Sequence, residues 1–214
     1  MTKRPGFALA VYGMEEWMIS KDSAKLLNNL FENHNDLTET NNTKRFHPTV
    51  VEIKSVLDEL HIEGKNCQVI RIEETSNRLA VPPHADGPIG YESMIIPLSF
   101  RGKVCTILFD SYYKNNNDNP KGFKYRPTKN KYYKNEWLSP DDEIPSGLSN
   151  KPFQNKNYDK LLSYLPIEDL FGLQIKKIVP WQERHIIKFN SNQLHSGSHF
   201  KGKKRWLLII KKIF

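Results

Sequence analysis

The stretch VPPHADGPIGY, residues 81–91, sets His84 and Asp86 two positions apart, behind two prolines and ahead of two glycines. Along an extended chain successive side chains point to opposite sides, so His84 and Asp86 face the same way and Ala85 faces the other. An imidazole and a carboxylate side by side at a strand end can give a divalent metal two adjacent ligands. A second histidine would complete the two-histidine, one-carboxylate face that leaves coordination positions open on Fe(II). Without that third group the stretch reads as a surface turn that happens to contain a histidine.

The candidate for the third ligand is His195, in FNSNQLHSGSHF, residues 189–200. It follows the short β-like run HIIKFN and an Asn/Ser turn, with Gly197 two residues on. His199, beyond that glycine, and His185, at the head of the preceding run, are the weaker choices. Arg205 opens the final run RWLLIIKKIF and shares a face with Leu207 and Ile209. A guanidinium entering a barrel interior needs an anion, because an unpaired buried charge is costly. Its planar fork fits a carboxylate bidentately.

The surroundings of these residues read as β structure. CQVIRIEE, RLAVPPH, YESMIIPLSFR, KVCTILFDSYY, RHIIKFN, QLHSG and RWLLIIKKIF are short β-rich runs separated by Gly, Pro, Asn and Asp. Helical spacing is confined to three places. SAKLLNNLFE, residues 23–32, has Ser20 or Asp22 as its N-cap. PTVVEIKSVLDELHIEG, residues 48–64, has a proline at its start and a glycine at its end. A third helix is expected over residues 158–171, and HNDLTETNNTKR, residues 34–45, reads as loop. The expectation is a mostly β protein with flanking helices, an antiparallel sandwich or barrel, in one domain over residues 1–214. Residues 1–65 form a helical N-terminal support. Residues 112–157 form a polar insertion, a possible lid, whose many aromatics read better as tucked against the barrel than as stacking platforms for bases.

The formal net charge is +8 and the pI about 9.3. That balance admits nucleic acid or another acidic partner, but runs such as KNNNDNP and KNKYYKN point to a general Lys/Asn bias rather than a binding patch. Two cysteines, Cys67 and Cys105, make neither a disulfide framework nor a zinc motif, and fit buried thiols in a reducing, cytoplasmic setting. Apolar runs such as WLLII fall far short of the ~20 residues a membrane span needs. The N-terminal MTKRPGFALAVYG reads as a strand or anchoring segment rather than a signal peptide.

His84-x-Asp86, the distant His195 and Arg205 about one strand later together resemble the Fe(II)/2-oxoglutarate-dependent oxygenase superfamily. The likeness spans residues 66–111 and 178–214. It implies a double-stranded β-helix, the jelly-roll or cupin-like barrel. It implies that His84, Asp86 and His195 hold Fe(II) and that Arg205 grips the far carboxylate of 2-oxoglutarate. Decarboxylation of that cosubstrate to succinate and carbon dioxide is coupled in the family to oxidation of a substrate C–H bond. Because Asp86 is present, a hydroxylase outcome is implied. The family's Tyr or Asn on the strand before the motif has no evident counterpart in QVIRIEETSNRL, so Tyr91, Thr106 and Tyr112 are the candidates for a second contact with the cosubstrate. Arg71, on that strand, reads as pointing out to solvent; an inward Arg71 would assist ligand binding. The expected substrate is a small molecule or a peptidyl side chain, with nucleic acid the less favoured partner. The alternatives are a cupin-type metal enzyme that does not use 2-oxoglutarate and a non-enzymatic basic protein that binds an acidic partner through residues 112–157.

Overall fold

The computed structural model describes residues 18–34, 38–40, 43–75, 83–87, 89–113, 123–124, 146–198 and 205–213. The N-terminal anchor, most of the 112–157 insertion with its proposed lid, and His199 lie outside them.

Three helices form. Helix α1, Lys21–Glu32, is capped by Ser20, whose hydroxyl accepts the Ser23 N–H at 3.1 Å, and it buries Leu27 and Phe31. Helix α2, Lys54–Glu59, is shorter than expected. The β-branched run Thr49, Val50, Val51 stays in turns instead of winding, with the Thr49 N–H and hydroxyl both donating to Glu52. Helix α3, Tyr158–Leu161, is a single turn. The expected longer helix ends at Leu161; residues 162–165 form turns and a bend, and beyond Pro166, which lacks an N–H, a 3-10 turn follows over Ile167–Leu170.

The strands are β1 (Thr38–Thr40), β2 (Thr43–Phe46), β3 (Cys67–Thr75), β4 (His84–Ala85), β5 (Tyr91–Phe100), β6 (Cys105–Tyr112), β7 (Phe123–Lys124), β8 (Ile175–Pro180), β9 (Ile187–Asn190), β10 (Gln193–Gly197) and β11 (Arg205–Ile213). One sheet has the order β1-β2-β3-β11-β5-β9, the other β7-β4-β10-β6-β8. Within them, β3-β11-β5-β9 and β4-β10-β6-β8 are two four-stranded antiparallel sets. The chain passes back and forth between the sets as it advances, which is the winding of a double-stranded β-helix. The fold is therefore the expected jelly-roll barrel with helices outside. Strand β7, inside the insertion, was not expected and pairs with β4; nor were two further elements. The β1–β2 hairpin occupies the segment read as loop and extends the first sheet beyond β3. Strand β8, IKKIVP, pairs with β6.

Strand β11 shows how the layers divide. Leu208 and Ile210 lie in one core with Leu27, Phe31, Ile53 and Leu57 of the helical layer. Leu207 and Ile209 lie in another, with Leu108, Trp181, Ile187 and Phe189, which fills the space between the sheets. A third cluster covers the outer face of the second sheet, where Tyr113 and Phe153 from the two ends of the insertion join Phe109, Leu162 and Leu170. The insertion is thus tucked onto the barrel at both described ends. Gly147, at φ +83, makes that return possible: a Cβ there would stand 2.1 Å from the Asp110 carbonyl oxygen. Among the described residues no helix is long and apolar enough to cross a membrane.

Candidate metal centre

His84 on β4 and His195 on β10 are directly opposed partners in the second sheet. In an antiparallel pair such residues present their side chains on the same face, close together. The two rings lie 4.2 Å apart between centroids. Asp86 follows β4 by one residue and turns its carboxylate between them. Its Oδ1 is 3.9 Å from Nε2 of His84 and its Oδ2 is 3.5 Å from Nε2 of His195. One donor atom from each of the three falls within 4.8 Å of the others. That spacing suits one divalent ion, whose ligands sit roughly 2.0–2.2 Å from the metal.

The environment prepares the donors. Nδ1 of His195 faces the Gln193 carbonyl at 3.1 Å. An N–H there fixes the tautomer and leaves the Nε2 lone pair directed at Asp86. Phe189 packs on the other side of the ring, 4.4 Å between centroids. Burial pushes the His195 imidazole below its usual value, with Asp86 pulling the other way. The ring is thus kept neutral, as a metal ligand must be. Burial alone would raise the Asp86 carboxyl, but Lys211, His195 and His84 together outweigh it, with help from the Ser93 hydroxyl, and hold it well below the usual carboxylate range.

The backbone of the motif is fastened to the turn that precedes His195. The Ser191 carbonyl accepts from both the Asp86 N–H, at 2.7 Å, and the Gly87 N–H, at 3.0 Å. The Ser191 N–H donates to the Tyr91 carbonyl. Asn192 and Gln193 tie the same turn to Tyr113 and Phe109. Sequence reasoning recognised this Asn/Ser turn only as a break between strands.

It also missed Lys211. This half-buried ammonium donates to the Asp86 carbonyl at 2.7 Å and sits 3.3 Å from Oδ1 of the same residue. The signal was available: Leu207, Ile209 and Lys211 fall on one face by simple alternation. Lys211, Asp86, Gly87, Tyr91, Ser191, Gln68 and Val69 line a cavity beside the triad.

The other candidates fall in different places. Tyr91 opens β5 and lines that cavity. Thr106 is buried on the lumen side of β6, where its hydroxyl accepts the Trp181 indole N–H at 2.9 Å. Tyr112 ends β6, and its hydroxyl accepts from Lys176. Arg205 begins β11, paired with Thr75 and Phe100, at the end of the strand away from Lys211; its side chain lies outside the described residues. Arg71 requires a correction. It stands opposite Ile209, on the β3 face shared with the lumen, while its neighbours Ile70 and Ile72 face the helices. It is held inward by Glu73, not extended into solvent.

No protein-family model and no curated protein matches the sequence. Among solved structures the chain is similar to HygX from Streptomyces hygroscopicus with nickel, 2-oxoglutarate and hygromycin B bound, at 9% identity and a TM-score of 0.46, over 92% of this chain and 80% of that one. It is similar to SnoN from nogalamycin biosynthesis, a non-heme alpha ketoglutarate dependent epimerase, at 8% identity and 0.45, over 91% and 74%. It is similar to E. coli ycfD at 12% identity and 0.43; there it covers 84% of its own length but only 36% of that chain. At this level of likeness the fold rests on the strand order alone.

Proposed function

We propose that the chain is an Fe(II)- and 2-oxoglutarate-dependent oxygenase that hydroxylates a small-molecule or peptidyl substrate. The observation that carries this reading is the convergence of His84, Asp86 and His195, far apart in sequence, on a space one ion would fill. The donor set is two imidazoles and one carboxylate, a combination suited to a non-heme Fe(II) centre with open positions. When bound, Fe(II) supplies the redox chemistry that couples 2-oxoglutarate decarboxylation to oxidation of a C–H bond. The chain's own residues do the rest. Gln193 orients His195, Ser191 fixes the Asp86 backbone, and the apolar packing of Phe189, Ile209 and Leu207 excludes water from the interior side. Arg205, at the head of β11, is the proposed grip on the distal carboxylate of 2-oxoglutarate, with Tyr91 or Thr106 as a further contact.

Anaerobic titration of the metal-free protein with Fe(II) and then 2-oxoglutarate tests the reading. The expected result is one Fe(II) per chain and, with 2-oxoglutarate, a weak charge-transfer band in the visible range. Fe(II) binding without that band, and without succinate in air, would leave the second reading: a cupin-type metal enzyme that does not use 2-oxoglutarate. One observation favours that alternative. Leu207 and Ile209 are nearly fully buried and occupy lumen that a cosubstrate reaching toward Arg205 would need.

A further inference from the structure

Lys211 reaches the candidate metal centre from the opposite sheet. Its strand, β11, belongs to the first sheet, whereas β4 and β10, which carry His84 and His195, belong to the second. It stands opposite Val69 on β3 and Ser93 on β5. Its hydrogen-bond and ion-pair partner among the described residues is Asp86 alone, through the carbonyl at 2.7 Å and Oδ1 at 3.3 Å. The other carboxylate oxygen, Oδ2, lies nearer His195, 3.5 Å from its Nε2. Only 12% of the Lys211 side chain is exposed, so water offers its ammonium little in place of Asp86.

A divalent metal held by the triad competes for that carboxylate. The group that neutralises Lys211 is the same group that would ligate the metal. One negative charge then faces a dication and an ammonium where screening by water is weak. A second anion within reach of the ammonium relieves the conflict. The cavity beside the triad offers the place. Lys211 and Asp86 form part of its wall with Val69, Tyr91 and Ser191, and the exposed Gln68 opens it to solvent. An anion entering there meets Lys211 without displacing Leu207 or Ile209, which pack the lumen further along the strand. With three N–H donors, Lys211 can keep the Asp86 carbonyl while turning its charge from Oδ1 to such an anion.

Resting on the metal-centre reading above, we propose that Lys211 makes metal and anion occupancy of this site cooperative. In the metal-free protein it neutralises Asp86. In the metal-loaded protein it holds the carboxylate of a small acid in the adjoining cavity. Linkage makes the effect mutual: the acid tightens the metal by the same factor by which the metal tightens the acid.

The test is calorimetric titration of the metal-free full chain with Ni(II), a redox-inert stand-in for iron, with and without saturating formate, the smallest carboxylate. Wild type is expected to bind Ni(II) about tenfold more tightly with formate present. In Lys211→Met, Ni(II) alone binds more tightly than in wild type, which also shows that the variant is folded, but formate adds less than about twofold. Lys211→Arg keeps most of the gain. The ratio with and without formate decides, whatever the absolute affinities. An equal ratio in wild type and Lys211→Met would overturn the proposal, because formate would then act through the metal alone. So would the absence of any gain in wild type. Formate added to the 2-oxoglutarate-saturated Ni(II) protein names the source of the carboxylate. Exclusion of formate assigns it to the cosubstrate; Lys211-dependent binding on top of 2-oxoglutarate assigns it to the substrate. If 2-oxoglutarate leaves Ni(II) affinity unchanged while formate raises it, the oxygenase reading fails by itself and the cooperativity stands.

Discussion

The two faces of β11 can be compared residue by residue. On the helix side, Leu208 and Ile210 are completely buried and do nothing but pack. On the lumen side, Leu207 and Ile209 pack as tightly, but the next residue on that face is Lys211, pressed against Asp86. Both faces pass from hydrocarbon to charge within three side chains, but Lys212, next after Ile210, pairs with Glu92, whereas Lys211 pairs with a residue of the triad. Polar groups are tolerated in such an interior only where they satisfy each other or a ligand. The comparison therefore teaches which of the strand's charges is set against the candidate metal site: Lys211, at one end of the lumen.

The strongest way to break the contrast is at the ligands. His195→Ala and Asp86→Ala should each lose stoichiometric Fe(II), read by metal analysis after anaerobic gel filtration. Full occupancy in either variant removes the metal centre. In the metal-free protein Asp86 also links stability to pH. Its folded pKa is depressed, so its contribution is present above the unfolded value, about 4, and is lost as the pH falls below it. Urea unfolding from pH 7 down to pH 3 should show this loss in wild type and a flatter profile in Asp86→Asn. The sign would be wrong if the variant lost more stability on acidification.

On the helix face, Ile210→Ala should cost about 3 kcal/mol of unfolding free energy and leave metal affinity unaltered. A change in metal affinity there would show that the faces are not independent. On the lumen face, Lys211→Met should do the reverse. It removes a cation 3.3 Å from a ligand oxygen, so a divalent metal should bind about tenfold more tightly, because repulsion between ammonium and metal is gone. Weaker binding would mean that Lys211 matters more for holding Asp86 in position than for its charge. The smallest effect concerns the thiols. Burial pushes both Cys67 and Cys105 above the usual range, and Cys105 is the more enclosed. Native protein should therefore label slowly at pH 8, Cys67 first, as read by mass spectrometry.

The parts of this architecture that sequence made legible are those governed by alternation. His84 and Asp86 share a face because they are two apart. The runs around β5, β6, β9, β10 and β11 were recognisable from their β-rich character and turn residues. What escaped lacked that signature. The β1–β2 hairpin is polar throughout apart from Phe46, and is held by backbone pairing to β3 that no side-chain pattern announces. Strand β8 is interrupted by Lys176 and Lys177, which hides its pairing with β6. The long helix expected over residues 158–171 ignored the cost of Pro166. Arg71 was assigned to solvent because alternation pairs it with Glu73 on one face of the strand but does not say which face of β3 turns to the lumen. The Ser191 contact is made by a main-chain carbonyl, so no choice of side chain could have revealed it.

That carbonyl has a kinetic meaning. It is a shared pin between two turns that come from distant parts of the chain, one delivering Asp86 and the other His195. Neither turn can swing away while the other stays docked, so the amides of Asp86 and Gly87 should exchange with deuterium as a single unit. A nascent chain that lacks its last strands has no partner for that pin, and brings the three side chains of the proposed metal site together only when the barrel closes.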